Sequence, residues 1–296
     1  YKLLKKFPGS DIIDISEFLG GKILKNIIGI IFITYFIFSA SILLRNFCEG
    51  LKIIYYPQTN IIFIILFFII SISLTNNLSF GTTLRTNLII IPIVLFSIIF
   101  LFVANFKNFT PQRIYPIFGD GISNTFITGF SNIFAFGGIS YLYLLPPYLK
   151  DPKKFKKITL ISIAISGLYL LLCVSTLLFM FNFFVDINEI MPLYSAARNI
   201  DLGNFLQRLE SLFLLIWIGA FACYLGIVSR FSLDMFKKIC NISNAKPLVW
   251  ILGLLIFSIS LIPKDYATSY FLENNIYKYL VLAITFVISL SILILA

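Results

Sequence analysis

The stretch YPIFGDGISNTFITGFSNIFAFGGISYLYLLPPYLKDPKKFKK, residues 115–157, decides how the fold of this chain is interpreted. Its apolar segment begins after Pro116, is interrupted by small and polar residues at 129–132, and resumes as far as Pro146-Pro147. In a bilayer, non-helical backbone occurs only where it is buried in protein or lines a cavity. A glycine-interrupted hydrophobic segment therefore indicates a broken helix with a binding site at mid-membrane depth. The alternative is a continuous helix whose glycines let neighbouring helices pack closely.

The composition of the chain excludes several functional classes. Of its 296 residues, 59% are hydrophobic and 12% are charged, and the mean hydropathy is +0.97. Soluble domains contain about 25% charged residues, so we predict an all-α polytopic membrane protein. The chain has no histidine, and its four cysteines show no metal-binding or redox spacing. Because nucleotide-binding loops and paired carboxylates are also absent, we predict no enzyme activity, cofactor or metal site.

Eight segments are long and apolar enough to cross a hydrocarbon core of roughly 30 Å as helices within one integral membrane domain, residues 1–296. They lie at about 26–44, 58–74, 88–104, 117–145, 158–182, 206–229, 248–263 and 278–296. Before them, an amphipathic segment at about 11–20 predicts a short interfacial helix that ends at Gly20-Gly21. Its N-cap is predicted at Ser10 or Asp11.

The net charge of +10 indicates membrane topology and not nucleic-acid binding, because the basic residues lie beside hydrophobic segments. Most of the 23 lysines and arginines fall in one set of alternate connections, which includes the cluster at 150–157 and the stretch 230–246. Loops rich in lysine and arginine face the cytoplasm. Both ends of this chain are therefore predicted to lie on the cytoplasmic side.

A few ionisable residues lie near or inside the predicted spans. Arg45 and Glu49, one helical turn apart at a membrane edge, are interpreted as a snorkelling interfacial pair or as gating residues. Glu210 has two open interpretations, since an intramembrane acid is a functional candidate while Arg208 and the helix N-terminus offer it structural partners. The connection at 183–205, with a helical patch at 191–199, is either a lid or a helix on the surface.

Several motifs resemble the B subunits of spore germinant receptors, the inner-membrane nutrient sensors of endospore-forming bacteria. These motifs are KKFPGSDIIDISEFLGGKILKNIIG at 5–29, LLRNFCEGL at 43–51, YPIFGDG at 115–121, LPPYLKDPKKFKK at 145–157 and NEIMPLYSAARNIDLGNFLQRLESLFLLIWI at 188–218. The last is the most specific, with an acid, a proline, a long spacer, Arg-x-Glu and a tryptophan. The resemblance covers essentially the whole chain.

The resemblance implies the fold of the amino acid–polyamine–organocation transporters, a LeuT-like arrangement of two inverted five-helix repeats whose first and sixth helices are broken. The eight spans would then be helices three to ten, and residues 129–132 would lie at the break of the sixth. The first two family helices would be absent from this chain, which implies a fragment, a misassigned start or a degraded gene.

The resemblance also implies a pocket for a small nutrient, typically an amino acid, midway through the membrane. The helix N-terminus at the break would receive the ligand carboxylate, because it carries a partial positive charge. The third and eighth family helices would each face the same cavity through a tyrosine and a small residue one turn apart. The residues so assigned are Gly129, Phe130, Ser131, Asn132 and Phe134 at the break, and Tyr35, Ser39, Ala220 and Tyr224 on the other two helices.

Two functions of different classes follow from the resemblance. The first is a receptor subunit that binds a germinant, assembles with A-type and C-type subunits in the lipid membrane, and triggers germination. The second is a secondary amino acid transporter, because the fold alone does not separate the two. The Arg-x-Glu sequence at 208–210 and the proline-rich exit at 145–147 favour the receptor. A non-functional remnant is a third hypothesis, based on the absence of the first family helices.

Overall fold

The computed structural model describes residues 5–78, 80–118, 121–149, 151–181, 190–200 and 209–295. Its regular secondary structure in these ranges is helical. The main helices are α1 (Ile12–Tyr55), α2 (Ile61–Asn77), α3 (Phe80–Ala104), α4 (Ile122–Ser131), α5 (Phe155–Met180), α6 (Pro192–Arg198), α7 (Leu209–Cys240), α8 (Lys246–Ser260) and α9 (Tyr266–Leu295). A 3₁₀ helix occupies Asn132–Tyr143, and shorter 3₁₀ turns lie at Phe106–Asn108, Pro111–Ile114, Pro146–Tyr148 and Pro152–Lys154.

Five of these helices, α1, α3, α5, α7 and α9, are long and apolar enough to cross a membrane. The apolar helices α2 and α8 are shorter, with 17 and 15 residues. Large apolar side chains along α3 and α5, such as Leu88 and Leu168, are exposed on the surface. An apolar surface of this kind is stable in contact with lipid and not with water. The chain is therefore an all-α polytopic membrane protein.

The first helix contains the predicted interfacial segment. Asp11 is the N-cap, and its carboxylate accepts hydrogen bonds from the backbone amides of Ile13 and Asp14, at 3.1 and 3.0 Å. The helical path is interrupted at Gly20 and Gly21, as the sequence predicts. Gly21 has a φ of 65°, a left-handed conformation that residues with a side chain rarely adopt. The glycine pair thus separates the amphipathic turn from the apolar part of α1.

The stretch at 117–145 is not one continuous α-helix. The α-helix α4 ends at Ser131, and a 3₁₀ helix of 12 residues follows from Asn132 to Tyr143. Runs of 3₁₀ helix longer than three or four residues are uncommon, and within a helical segment they often mark a functional hinge. The change in helix type lies at the C-terminal end of the predicted interruption, residues 129–132.

The described chain divides into two compact units. The first comprises residues 1–80, 131–162 and 225–296, and the second comprises 81–130 and 163–224. In the first unit, α1 packs against α2, α8 and α9, and α2 also packs against α8. A Cβ atom at Gly253 of α8 would lie 2.8 Å from Ser73 Oγ of α2. The absence of a side chain at Gly253 therefore allows these two helices to approach closely.

In the second unit, residues of α3, α5, α6 and α7 form a buried core that includes Leu101, Cys173, Ala197 and Phe213. The helix α6 coincides with the helical patch predicted at 191–199. It is held by Asn105, whose side-chain amide donates to the carbonyl oxygen of Ala196 at 3.2 Å. The rest of the connection at 183–205, predicted as a lid or a helix on the surface, lies largely outside the described residues.

Arg45 and Glu49 form a buried ion pair in the first unit. The Arg45 Nη2 atom lies 2.7 Å from Glu49 Oε1, and the two side chains are only 4% and 10% exposed. The guanidinium also donates to the carbonyl oxygens of Ser260 and Lys264, at 3.3 and 3.0 Å. The interpretation as a snorkelling interfacial pair is therefore wrong, because the pair is enclosed by protein. It caps the C-terminal end of α8, where carbonyl groups lack helical partners.

We expect Arg45→Ala to destabilise the protein by about 3–5 kcal/mol, because the substitution leaves Glu49 buried without its counter-ion. Thermal unfolding of the purified chain in detergent measures the effect. The double variant Arg45→Ala/Glu49→Ala should recover part of the loss, since it also removes the unpaired carboxylate. Equal unfolding temperatures for wild type and Arg45→Ala would contradict a stabilising role for this pair.

Candidate functional site

Four buried hydroxyl groups of the first unit meet at one place, which we call the hydroxyl cluster: Tyr35, Ser39, Ser140 and Tyr277. The hydroxyl oxygens of Tyr35 and Ser140 are 3.3 Å apart. The Tyr277 hydroxyl is hydrogen-bonded to the side chains of both Tyr35 and Ser39. Ser140 Oγ also donates to the carbonyl oxygen of Gly137, at 2.7 Å. Each hydroxyl of the cluster thus has a partner within the protein.

The local helix geometry explains how these groups converge. Tyr35 and Ser39 are four residues apart on α1, so they lie on the same face of that helix. In a 3₁₀ helix, residues three apart are aligned, which places Gly137 and Ser140 on the same side. A Cβ atom at Gly137 would lie 3.1 Å from the hydroxyl oxygen of Tyr277. Glycine at this position therefore leaves room for the tyrosine hydroxyl.

Tyr277 ends a π-helical turn at Glu273–Tyr277, within α9. Turns of this type are rare and occur frequently at functional sites. The Tyr277 ring is stacked on that of Tyr35, with centroids 6.2 Å apart and planes 4° from parallel. At the other end of the turn, the Glu273 carboxylate accepts a hydrogen bond of 2.5 Å from the Asn46 side chain. The π turn therefore makes polar contacts with α1 at both ends.

One edge of the hydroxyl cluster carries a positive charge. The Lys278 Nζ atom lies 3.4 Å from Asn132 Oδ1 and 5.7 Å from the centroid of the Phe134 ring. The Phe134 ring in turn packs edge-on against Tyr277, with centroids 6.4 Å apart. An ammonium group and an aromatic face thus lie beside buried hydroxyls. This arrangement offers hydrogen-bond donors, acceptors and one cation, but no paired acid and base for catalysis.

Four of the nine residues predicted to form the pocket, Tyr35, Ser39, Asn132 and Phe134, belong to the hydroxyl cluster or to its edge. They come from segments almost 100 residues apart in the sequence, and the first unit brings them together. The role of these residues in binding stays a prediction.

The other five predicted pocket residues are placed as follows. Ser131 is the last residue of α4, and Gly129 and Phe130 precede it in the same helix. A Cβ atom at Gly129 would meet nothing within 4 Å. Ala220 and Tyr224 are half-buried in the part of α7 that belongs to the second unit. Their assignment to the pocket also stays a prediction.

Tyr277, Ser140 and Lys278 were not among the residues predicted from the sequence. Tyr277 and Lys278 lie at the start of the last predicted span, where a tyrosine and a lysine are typical of a membrane interface. A π turn has no sequence signature of its own, so the direction of the Tyr277 side chain was not predictable. Ser140 lies in an apolar run and carried no signal beyond its small size.

Glu210, the other predicted structural or gating residue, lies in the first turn of α7 and is half-buried. Arg208, its predicted partner, lies outside the described residues. The two interpretations of Glu210 therefore both stay open. Among the residues that the structure describes, no group of three histidine, cysteine or acidic residues could hold a metal ion.

Comparison with known proteins identifies the family. The family model described as spore germination protein (spore permease) matches residues 1–269. Three similar proteins of Bacillus subtilis (strain 168) are each 26% identical to this chain. The match to spore germination protein KB covers 86% of this chain and 70% of that protein, and the match to spore germination protein A2 covers 83% of this chain and 67% of that protein. The match to spore germination protein B2 covers 60% of this chain and 49% of that protein. No solved structure matches significantly. Because the family model matches most of its length, the chain belongs to the spore germination protein family of membrane proteins.

Proposed function

We propose that this chain is the nutrient-sensing subunit of a spore germinant receptor and that it binds a small germinant within the membrane. Membership of the spore germination protein family over residues 1–269 is the observation that carries the proposal. The hydroxyl cluster supports it, because buried polar groups in a membrane protein are costly and are typical of functional sites.

The germinant that fits this chemistry best is an amino acid. Its carboxylate would pair with the Lys278 ammonium, in place of the helix N-terminus that the resemblance implies. Its polar groups would exchange hydrogen bonds with Tyr277, Tyr35 and Ser140. In the arrangement described above, these hydroxyls bond to one another. A ligand that replaces those bonds would favour a different arrangement of α1 and α9. Such a ligand shifts the population of states only by its difference in affinity between them.

As part of the receptor hypothesis, we also propose a fold, partners and a location for this chain. We place the chain in the LeuT-like transporter fold as helices three to ten of a single membrane domain. Its partners would be A-type and C-type receptor subunits, and its location the inner membrane of the spore. The basic stretches at 150–157 and 230–246 would face the cytoplasm, as lysine- and arginine-rich loops do.

The alternative is a secondary amino acid transporter of the same fold. The name of the family model includes the term permease, which is the observation in favour of this function. The two functions differ in stoichiometry, because a transporter moves one substrate per cycle and a receptor needs no net uptake. Fold does not distinguish them.

Deletion of the gene in the source strain tests the proposed function. We expect dipicolinate release from spores to be lost for one or a few amino acids and to return on complementation. Uptake of the same labelled amino acids by vegetative cells expressing the chain is the matched assay. Unchanged germination together with deletion-dependent uptake would replace the receptor with the transporter, and no change in either would reject both.

Tyr277→Phe is expected to raise the germinant concentration for half-maximal release by about 3–10-fold, because it removes one hydrogen bond and keeps the ring. Tyr279→Phe is the matched control, since Tyr279 is exposed on the same helix. Immunoblots of spore membranes would verify equal protein levels. Identical dose–response curves for both variants and wild type would exclude the hydroxyl cluster from the binding site.

Lys278→Met is expected to raise the half-maximal concentration of an amino acid germinant by about tenfold or more, because it removes a charged hydrogen-bond donor. An uncharged germinant, such as a sugar, should be unaffected if it acts through the same receptor. Lys264→Met, which removes a lysine just before α9, serves as the control. An unchanged amino acid response in Lys278→Met would contradict the proposed contact with the carboxylate.

A further inference from the structure

A polar cleft of about 280 Å³ lies in the first unit, away from the hydroxyl cluster. It is lined by the C-terminal end of α2, the last turns of α7, and the turn that leads into α8. Its polar lining residues include Asn76, Arg230, Asp234, Lys237 and Lys246. None of them belongs to the pocket proposed above for the germinant.

The cleft carries an excess of positive charge. It contains three cationic side chains and one carboxylate, that of Asp234. Asp234 is already engaged, because it accepts a hydrogen bond of 2.7 Å from the Tyr148 hydroxyl and pairs with Arg230 Nε at 3.3 Å. Lys237 and Lys246 form no ion pair with any described residue. Two ammonium groups therefore remain for an anionic ligand.

Asn76 contributes a buried hydrogen-bond acceptor, which a ligand of the cleft should also satisfy. Asn76 is 3% exposed, and its side-chain Nδ2 donates to the carbonyl oxygen of Ile72 at 3.1 Å. Its Oδ1 atom has no hydrogen-bond partner among the residues that the structure describes. A buried acceptor without a partner costs about 1–3 kcal/mol, so a ligand with a hydrogen-bond donor would stabilise the site. The preferred ligand thus combines a negative charge with at least one hydroxyl group.

Exposed apolar side chains lie close to the lining residues in the sequence. Leu74 of α2, Leu78 just after it, and Trp250 and Leu254 of α8 are large apolar residues with exposed side chains, and Leu78 itself lines the cleft. Side chains of this kind suit contact with acyl chains. Most residues that line the cleft belong to the basic stretch 230–246, which is predicted to lie on the cytoplasmic side. Basic pockets between helices on that side bind phospholipid headgroups.

We propose that this cleft is a binding site for a phosphate group, and that its occupant is an anionic phospholipid with a hydroxylated headgroup, such as phosphatidylglycerol. Lys237 and Lys246 bind the phosphate, and Arg230 adds to the positive field while it remains paired with Asp234. Asn76 Oδ1 accepts a hydrogen bond from a headgroup hydroxyl. The acyl chains lie along the exposed apolar side chains of α2 and α8.

Lipid titration of the purified, delipidated chain in detergent tests the site. Thermal unfolding and native mass spectrometry are measured with phosphatidylglycerol, phosphatidic acid, phosphatidylcholine and inorganic phosphate. We expect saturable stabilisation by phosphatidylglycerol. The double variant Lys237→Ala/Lys246→Ala should bind it about 30-fold more weakly, since each lysine near an anionic lipid contributes about fivefold.

The matched control is Lys153→Ala/Lys154→Ala, which removes two exposed lysines elsewhere in the first unit. It should bind phosphatidylglycerol like the wild type. Equal binding by both double variants would overturn the site. Saturable binding of inorganic phosphate that only Lys237→Ala/Lys246→Ala abolishes would support the phosphate site and assign it to a soluble ligand.

The hydroxyl contact has its own test. In the wild type, phosphatidylglycerol should bind more tightly than phosphatidic acid, which has no headgroup hydroxyl beyond its phosphate. Asn76→Leu should reduce that preference while both lipids still bind. A preference that survives the substitution would overturn the role of Asn76, and failure of this site would leave the germinant assays above unaffected.

Discussion

Inside a bilayer, backbone amides and carbonyls need partners within the protein, and much of this structure follows from that requirement. Helices provide most of the partners, and polar side chains complete them where a helix ends. Arg45 donates to the carbonyl oxygens of Ser260 and Lys264 at the end of α8, and Glu49 balances its charge. One buried guanidinium thereby connects α1 to the end of α8 and to the residues just beyond it.

Because of the same requirement, the segments where the α-helical pattern changes are of particular interest. The 3₁₀ helix at Asn132–Tyr143 and the π turn at Glu273–Tyr277 both contribute to the hydroxyl cluster. Each geometry shifts the directions of successive side chains relative to an α-helix. Ser140 and Tyr277 reach Tyr35 because of these shifts. The irregular segments therefore concentrate polar groups at one location without leaving any cluster hydroxyl unpartnered.

The hydroxyl cluster and the cleft are two polar locations of the first unit that differ in character. The hydroxyl cluster consists mainly of neutral groups that bond to one another, which suits a ligand that replaces those bonds. The cleft near Lys237 and Lys246 has a surplus of cations and an unpartnered acceptor, which suits an anion with hydroxyl groups. A small nutrient would replace hydrogen bonds between neutral groups, whereas a phospholipid headgroup would bring a negative charge and hydroxyl groups.

The sequence by itself determined the all-helical membrane class and the glycine break at Gly20-Gly21, because hydropathy and glycine pairs are local properties. At residues 129–132 it left a broken and a continuous helix as alternatives, and Tyr35 and Ser39 were assigned only from the family resemblance. Only the tertiary structure decided that Arg45 and Glu49 are buried, that Tyr277 joins the cluster, and that Lys237 and Lys246 border a cleft. Burial and hydrogen bonding depend on which residues from distant segments pack together. Such long-range contacts leave no local pattern in one sequence.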